Sequence, residues 1–335
     1  MESMIDLKYP LIDLHHHLDG SLRLETILDL GLKHNLPLPA TTLEGLRPFV
    51  QVSTPQPGVM KFIEKFEWMT GVLVDYDACR RVAFENVEDA AREGLDYIEL
   101  RYSPWFMAEA HKLDPLGVVE AVTDGVKAGE RECSIRANQI GILSRHYGPE
   151  IAMQELNALL FHPEDFCGLD LAGDEAHFPG ELFVPHFKLA RDAGWHITVH
   201  AGEADGPNSV WQALQHLGAE RVGHGVRAPE DPLLIAYMRD HQIGVECNLT
   251  SNVQTSTVKD YPSHPLKFFL ESGLLATINT DDPGISAIDL HYEYNIAAPL
   301  AGLTRAQCLQ AQHNALETAF LDDEEKMVLL KKKSH

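Results

Sequence analysis

Residues 11–20 read Leu-Ile-Asp-Leu-His-His-His-Leu-Asp-Gly. A short apolar run ends in two histidines spaced two apart, then an acid and a glycine. Alternate residues of a strand share a face, so His15 and His17 point one way and His16 the other. Two imidazoles on one face, at the carboxyl end of a strand, can grip one metal ion. An isolated His-x-His more often marks an ordinary surface or core histidine, so the reading depends on what the rest of the chain supplies. Three more groups sit where an apolar run stops: His200-Ala201-Gly202-Glu203, Gly223-His224-Gly225 and Asp281-Asp282. Histidines and carboxylates at the ends of several strands are how a barrel enzyme gathers one site from distant sequence.

Runs of strand character recur at residues 11–17, 97–102, 139–143, 168–172, 196–200, 221–224, 244–248 and 276–280. Several are apolar on both faces, as parallel strands covered on both sides must be. Helical patterns lie between them, at 75–93, 118–132 and 180–193 for example. Eight alternations of strand and helix predict an α/β fold, a (β/α)8 TIM barrel. An open doubly wound sheet competes, but no Gly-rich phosphate loop follows the first strand. At 335 residues the chain has room for one barrel of about 250 residues plus insertions.

We therefore read a single domain over 1–335, with a helical insertion over about 21–95 in the widest gap between strands. Its middle, residues 40–58, is rich in Pro, Thr and Gly and reads as loop. After it, Val59, Phe62, Ile63 and Phe66 fall at i, i+3, i+4 and i+7 and make one apolar helical face. Such a helix either packs on the barrel wall or forms a lid. Helical spacing alone favours the wall; an insertion after the first strand emerges on the face where barrel active sites form, which would instead make Phe62, Ile63 and Phe66 a lid.

The composition, 44% apolar and 23% charged, is that of a globular protein that builds its own core. With 27 basic and 50 acidic side chains the net charge is -23, which repels phosphate backbones and anionic lipid. Nucleic-acid and membrane partners are therefore disfavoured, and a small neutral or zwitterionic substrate is expected. Five scattered cysteines without a CxxC pair suit a reducing compartment. No secretory signal opens the chain and no apolar run reaches the ~18 residues of a membrane span, so the protein reads as cytoplasmic. No heptad or exposed strand repeat marks an interface, which is compatible with a monomer. Residues 331–335 read as a solvated, frayed tail.

Each site group has a bland alternative. His200 alone would be a hydrogen-bonded core histidine, Glu203 a solvated loop acid, and Asp281-Asp282-Pro283-Gly284 a turn. Together, at the mouth of one barrel, His15, His17, His200 and Asp281 become the ligands of one metal ion. Glu203 becomes the non-ligand carboxylate that a metallohydrolase needs to move protons. Asp282 is placed to hydrogen-bond the attacking water or a substrate nitrogen. His224 sits beside the metal, stabilising developing negative charge or accepting the water's proton.

With these groups assembled, the chain resembles the adenosine deaminase family of the metal-dependent amidohydrolase barrels. The stretches that carry the resemblance are HHHLDGS at 15–21, RYSP at 101–104, DLAGDE at 170–175, HAGE at 200–203, RVGHG at 221–225 and NTDDPG at 279–284. They span nearly the whole chain. The resemblance implies one zinc ion (Zn2+) per chain on His15, His17, His200 and Asp281. It also implies Glu203 as proton donor to purine N1, His224 as the group that activates or orients the hydroxide, and Asp282 in contact with that hydroxide and with purine N7. Gly173 would give its backbone N–H to purine N3, and Asp19, beside His17, would hold the ribose 5′-hydroxyl. The implied reaction is deamination of adenosine or 2′-deoxyadenosine to the inosine nucleoside and ammonia, a step of purine salvage. Glu203 must then be neutral at the working pH, which requires burial.

A sister deaminase acting on free adenine would share the metal site and lack a use for Asp19. A monophosphate deaminase would need a basic cluster near these motifs, and none is visible. A two-metal hydrolase would need a strand-end lysine at the fourth strand, where Asp170-Leu171-Ala172-Gly173 stands. A non-catalytic nucleoside-binding protein would have no use for both Glu203 and His224.

Overall fold

The computed structural model describes residues 3–333. Eight parallel strands run in sequence order: β1 (Ile12–His17), β2 (Tyr97–Tyr102), β3 (Arg136–Ser144), β4 (Gly168–Ala172), β5 (His196–Ala201), β6 (Arg221–His224), β7 (Gly244–Cys247) and β8 (Leu275–Ile278). The ring is completed where His17 N–H donates to the Asp281 carbonyl at 2.7 Å and Asp281 N–H donates to the His15 carbonyl at 2.8 Å. This is the expected TIM barrel, and the strand bounds fall within a few residues of those expected. Every residue of β1, β2, β6 and β7 is buried, because helices cover the outside and packed side chains fill the inside.

β1 departs from plain alternation. Asp13 pairs with Ile98 but His16 pairs with Leu100, so three steps of β1 face two of β2. A bulge of this kind re-aims side chains, and it lies at the residues that supply two of the site's imidazoles. His16 turns outward and joins Thr280 Oγ1 and Asn86 Oδ1, each at 3.1 Å, tying the barrel to its covering helix.

Between β1 and β2 lie helices Leu24–Lys33 and Leu43–Val50, then Val59–Ile63, a 3-10 turn Glu64–Phe66, the short helix Glu67–Thr70, and the long helix Tyr76–Arg92. The last is capped by Asp75, whose carboxylate accepts from Ala78 N–H at 2.8 Å, and it packs along Pro115–Cys133. The apolar face read at 59–66 is present, but its helix tightens into the 3-10 turn after Ile63. Phe62 and Phe66 are buried. The expected helix at 180–193 likewise begins as a 3-10 turn, Gly180–Phe183, and becomes Val184–Asp192 where Pro185 sits in the first turn.

One expectation is corrected at the end of the chain. Lys331, Lys332 and Lys333 are not a frayed tail but the last turn of helix Asp323–Lys333. Acids in its first turn and lysines in its last complement the helix dipole. Lys333 Nζ meets Asp96 Oδ2 at 2.8 Å. Ser334 and His335 lie outside the described residues. No helix among the described residues is long and apolar enough to cross a membrane. All five cysteines are unpaired.

Candidate metal centre

The carboxyl ends of β1, β5, β6 and β8 meet at one mouth of the barrel. His15 and His17 end β1, and His200 lies near the end of β5. His224 is the last residue of β6, and Asp281 follows β8. His224 and Asp281 both adopt left-handed backbone, at φ 64° and 65°, which ordinary side chains seldom occupy. That conformation folds the chain back so that each side chain reaches inward, and such strain is commonly stored where function uses it.

One ring nitrogen each from His15, His17 and His200, and one carboxylate oxygen of Asp281, lie within 4.8 Å of one another. His15 Nε2 is 3.0 Å and His17 Nε2 3.3 Å from Asp281 Oδ1, and the His17 and His200 Nε2 atoms are 3.1 Å apart. Ligands ~2.05 Å from a tetrahedral zinc-sized ion stand about 3.3 Å from one another, so these spacings fit.

The protonation pattern fits too. His15 Nδ1 donates to Glu246 Oε2 at 2.7 Å, and His200 Nδ1 donates to Asp170 Oδ2 at 2.9 Å. Both Nε2 atoms therefore carry lone pairs, and they face each other's neighbours and an anionic oxygen. His15 Nε2 is buried with no hydrogen-bond partner among the described residues. Two lone pairs beside an anionic oxygen favour a positive charge between them; in keeping with that, burial alone would lower His17, but Asp282, Asp19 and Asp281 hold it well above its ordinary value. Burial pushes His200 down to about 4, against the pull of Asp170, so its ring is neutral at physiological pH and free to act as a ligand. Asp281 is held well below the carboxylate range: burial alone would raise it, but His224 and His15 outweigh that. Ser251 Oγ donates to its second oxygen at 2.6 Å.

A layer of charge beneath these ligands was not read from the sequence. Arg101 donates to Asp170 Oδ2 and Glu246 Oε2, both at 2.9 Å, and Arg221 Nε donates to Glu246 Oε1 at 2.7 Å and its NH2 to Glu99. All five side chains are essentially inaccessible to solvent. Carboxylates on the Nδ1–H of metal-binding histidines fix ring tautomer and orientation. The signal was visible: charged residues within short strands covered on both sides are buried only when paired.

The other expected site residues line one cavity above the ligands. Glu203 follows β5 on a loop clamped by Glu175, whose carboxylate accepts the backbone N–H groups of Gly202, Glu203, Ala204 and Asp205 at 2.6–3.1 Å. Burial, with Asp281, Glu175 and Asp282 nearby, raises the Glu203 carboxyl well above its ordinary value. His224, by contrast, is depressed by burial and by the neighbouring imidazoles. Asp282 is raised by burial and by Asp281, and its Oδ1 has no partner among the described residues. Gly20 accommodates it: a Cβ there would fall 1.9 Å from that oxygen. Gly173 follows β4 at φ 102°, with His146 so close that a Cβ would meet its Nδ1 at 2.5 Å.

Asp19 is buried after β1. Its Oδ2 accepts from Ser103 N–H at 3.2 Å, and its Oδ1 is unpartnered among the described residues. Opposite this polar floor, Val59, Phe62, Ile63, Phe66 and Phe106 make an apolar wall of the same cavity. The arrangement offers a cluster able to hold a metal ion, two carboxyls raised by burial (Glu203 and Asp282), the depressed His224 imidazole and a slot for a flat apolar ring with polar edges.

Comparison with known proteins bears on this constellation. The model of the family described as Adenosine deaminase matches residues 10–334. The adenosine deaminase of Klebsiella pneumoniae (strain 342) is 57% identical over 329 residues, covering 98% of this chain and 99% of that protein. Among solved structures, an adenine deaminase from Arthrobacter aurescens has a TM-score of 0.89 at 24% identity, covering 97% of this chain and 98% of its own. A zinc-bound amidohydrolase from Burkholderia ambifaria has a TM-score of 0.86 at 23% identity, with 98% and 90% covered. At those identities the two structures speak for the fold.

Proposed function

The chain belongs to the adenosine deaminase family, and from that premise we propose how its residues divide the work. The enzyme hydrolyses the amino group of adenosine, turning adenosine and water into inosine and ammonia. His15, His17, His200 and Asp281 would hold one ion, and three imidazoles with one carboxylate suit zinc. When bound, such an ion supplies Lewis acidity that lowers the pKa of water toward ~7.

The chain's own groups do the rest. Glu203, kept neutral by burial, donates its proton to purine N1 as oxygen adds to C6, which breaks the ring's aromaticity. Asp282, also held up by burial, donates to purine N7 through its unpartnered Oδ1. Gly173 gives its N–H to N3, at a position where only a glycine leaves room. Asp19 accepts the ribose 5′-hydroxyl through its free oxygen, beside His17. Both adenosine and 2′-deoxyadenosine carry that hydroxyl, so we read both as substrates. Phe62, Ile63 and Phe66, in the insertion after β1, act as a lid that lies on the purine and keeps bulk water out. Five unpaired cysteines suit a cytoplasmic setting.

One observation supports this division above the others: the buried Glu203 carboxyl, raised above its ordinary value, shares an apolar-walled cavity with a cluster of inward-facing lone pairs. The test offers purified protein adenosine, adenine and adenosine monophosphate separately and follows the ultraviolet change from amino- to oxo-purine. Loss of adenosine alone, stopped by a chelator and restored by zinc, is the expected result. Turnover of adenine in its place removes Asp19 from the sugar, and no turnover of any of the three overturns the assigned roles.

A further inference from the structure

We propose that Asn252 and His264 lock His224 into the neutral tautomer that carries its proton on Nε2, so that His224 meets the reacting oxygen as a hydrogen-bond donor and not as a base. The proposal rests on the reading of His224 as a group that faces the attacking oxygen.

The direction of every proton in this chain of contacts follows from one backbone amide. Leu266 N–H, which can only donate, donates to His264 Nδ1 at 3.1 Å. His264 is buried with no acid against it, and burial pushes it down to about 3. A ring nitrogen that accepts a hydrogen bond bears no proton, so the single proton of neutral His264 is on Nε2. His264 Nε2 lies 3.1 Å from Asn252 Oδ1 and donates to it. The Asn252 amide is thereby oriented, and its Nδ2 donates to His224 Nδ1 at 2.9 Å. His224 Nδ1 is an acceptor, and the ring's proton is on Nε2.

The reverse arrangement fails at its far end. If Asn252 turned its oxygen toward His224, its NH2 would need an acceptor at His264 Nε2. Leu266 N–H already uses His264 Nδ1 as an acceptor, and an imidazole accepting at both nitrogens would be an anion. Asn248 Nδ2 also donates to His224 Nδ1, at 3.2 Å, but its own Oδ1 has no partner among the described residues, so Asn252 sets the direction. The second Asn252 Nδ2 hydrogen goes to Thr257 Oγ1 at 3.2 Å.

The far nitrogen, Nε2, is on the metal side, 3.9 Å from Asp281 Oδ2. It therefore presents an N–H to the place where negative charge develops, a role that costs no reorganisation during the reaction. Neither Asn252 nor His264 lines the cavity or belongs to the candidate ligand set; they are positioning residues that act through His224, with Asn252 Nδ2 also 3.5 Å from Glu203 Oε1. They are separated from it by 28 and 40 positions and come to it on helix Leu249–Gln254 and the turn after Tyr261–Ser263.

The direct test reads the tautomer without relying on turnover. Protein labelled with 15N-histidine and loaded with zinc is compared with its His224→Gln variant, and the resonances lost in the variant belong to His224. A one-bond proton coupling on Nε2 and none on Nδ1 is expected; the opposite pattern overturns the proposal, as does a coupling on both.

The functional arm uses Asn252→Asp. A carboxylate only accepts, so it draws the His224 proton to Nδ1 and leaves a lone pair facing the reaction. The added charge also lies beside Glu203, where it keeps that carboxyl protonated. We expect kcat to fall by roughly 10²–10⁴-fold, KM for adenosine to stay within about threefold and zinc content to be unchanged. A variant that melts earlier yet keeps the wild-type kcat per folded, zinc-loaded molecule shows a structural role only and refutes the proposal. Failure of the wild type to turn over adenosine would overturn the functional reading while leaving the measured tautomer intact, so the two failures are separable.

Discussion

Glu246→Gln is the perturbation that most sharply tests the charge layer under the metal site. Glu246 sits in β7 with no solvent access, and its two oxygens receive four donors. Arg221 Nε and Thr198 Oγ1 reach Oε1 at 2.7 and 2.8 Å; Arg101 NH2 and His15 Nδ1 reach Oε2 at 2.9 and 2.7 Å. Glutamine keeps one oxygen and turns an NH2 toward the other pair. The less costly orientation keeps the oxygen on Arg101 and His15, because Thr198 can rotate to accept. Arg221 Nε–H is then left without an acceptor, and two buried guanidinium groups lose the anion between them. Breaking a buried pair from one side costs about 3–5 kcal/mol, which for a chain of this size lowers the melting temperature by about 4–7 °C. The second effect is on the metal: His15 loses the carboxylate that makes it basic, so affinity falls by about 10–100-fold. Thermal melts of metal-free protein measure the first, and competition against a chelating dye measures the second. A variant that melts within a degree or two of wild type and binds zinc equally well would show that Glu246 neither balances the arginines nor tunes His15.

Three further expectations follow from the same geometry. Glu203→Gln keeps shape and ligands, so zinc content should hold while kcat falls by roughly 10²–10⁴-fold or more; wild-type activity should decline as pH rises through the raised Glu203 pKa, and near-normal turnover in the variant would remove the proton-donor role. Glu155, fully buried with Ser103 Oγ and Ser144 N–H as donors, is pushed up to about 8 chiefly by burial. Its native form keeps a proton that the unfolded chain releases above its ordinary value near 4.5. The wild type therefore loses stability as pH rises between those values, by up to ~1.4 kcal/mol per pH unit, and Glu155→Gln should lose that slope; parallel melting curves at pH 5 and pH 8 would contradict it. Truncating Phe62 and Phe66 to alanine should raise KM for adenosine by about tenfold or more with a smaller change in kcat, since each buries apolar surface worth ~1.5–3 kcal/mol; normal kinetic constants in a less stable protein would make this segment wall and not lid.

The barrel was legible because its strands announce themselves one at a time: a parallel strand buried on both faces is a short apolar run, and eight of them recur between helical patterns. The candidate ligand cluster was legible for a related reason, since His15, His17, His200 and Asp281 stand at the points where those runs stop, and the fold brings them together. What stayed hidden depends on neighbours in space. The bulge in β1 is a register slip against β2, and nothing inside the sequence of β1 encodes it. The break of the 59–66 helix into a 3-10 turn, and the docking of Lys333 on Asp96, are likewise set by what the segments pack against.

The charged layer is the intermediate case. Glu99, Arg101, Arg221 and Glu246 lie inside strand runs, where an unpaired charge would cost more than the strand's apolar burial returns, so their presence alone demands partners. Which partners they find, and that the resulting anions fall on His15 and His200 Nδ1, only the closed ring decides. Asn252 and His264 go one step further from the sequence. Their consequence is neither a contact with substrate nor a charge but the position of a single proton on His224, fixed by a backbone amide forty-two residues away along the chain.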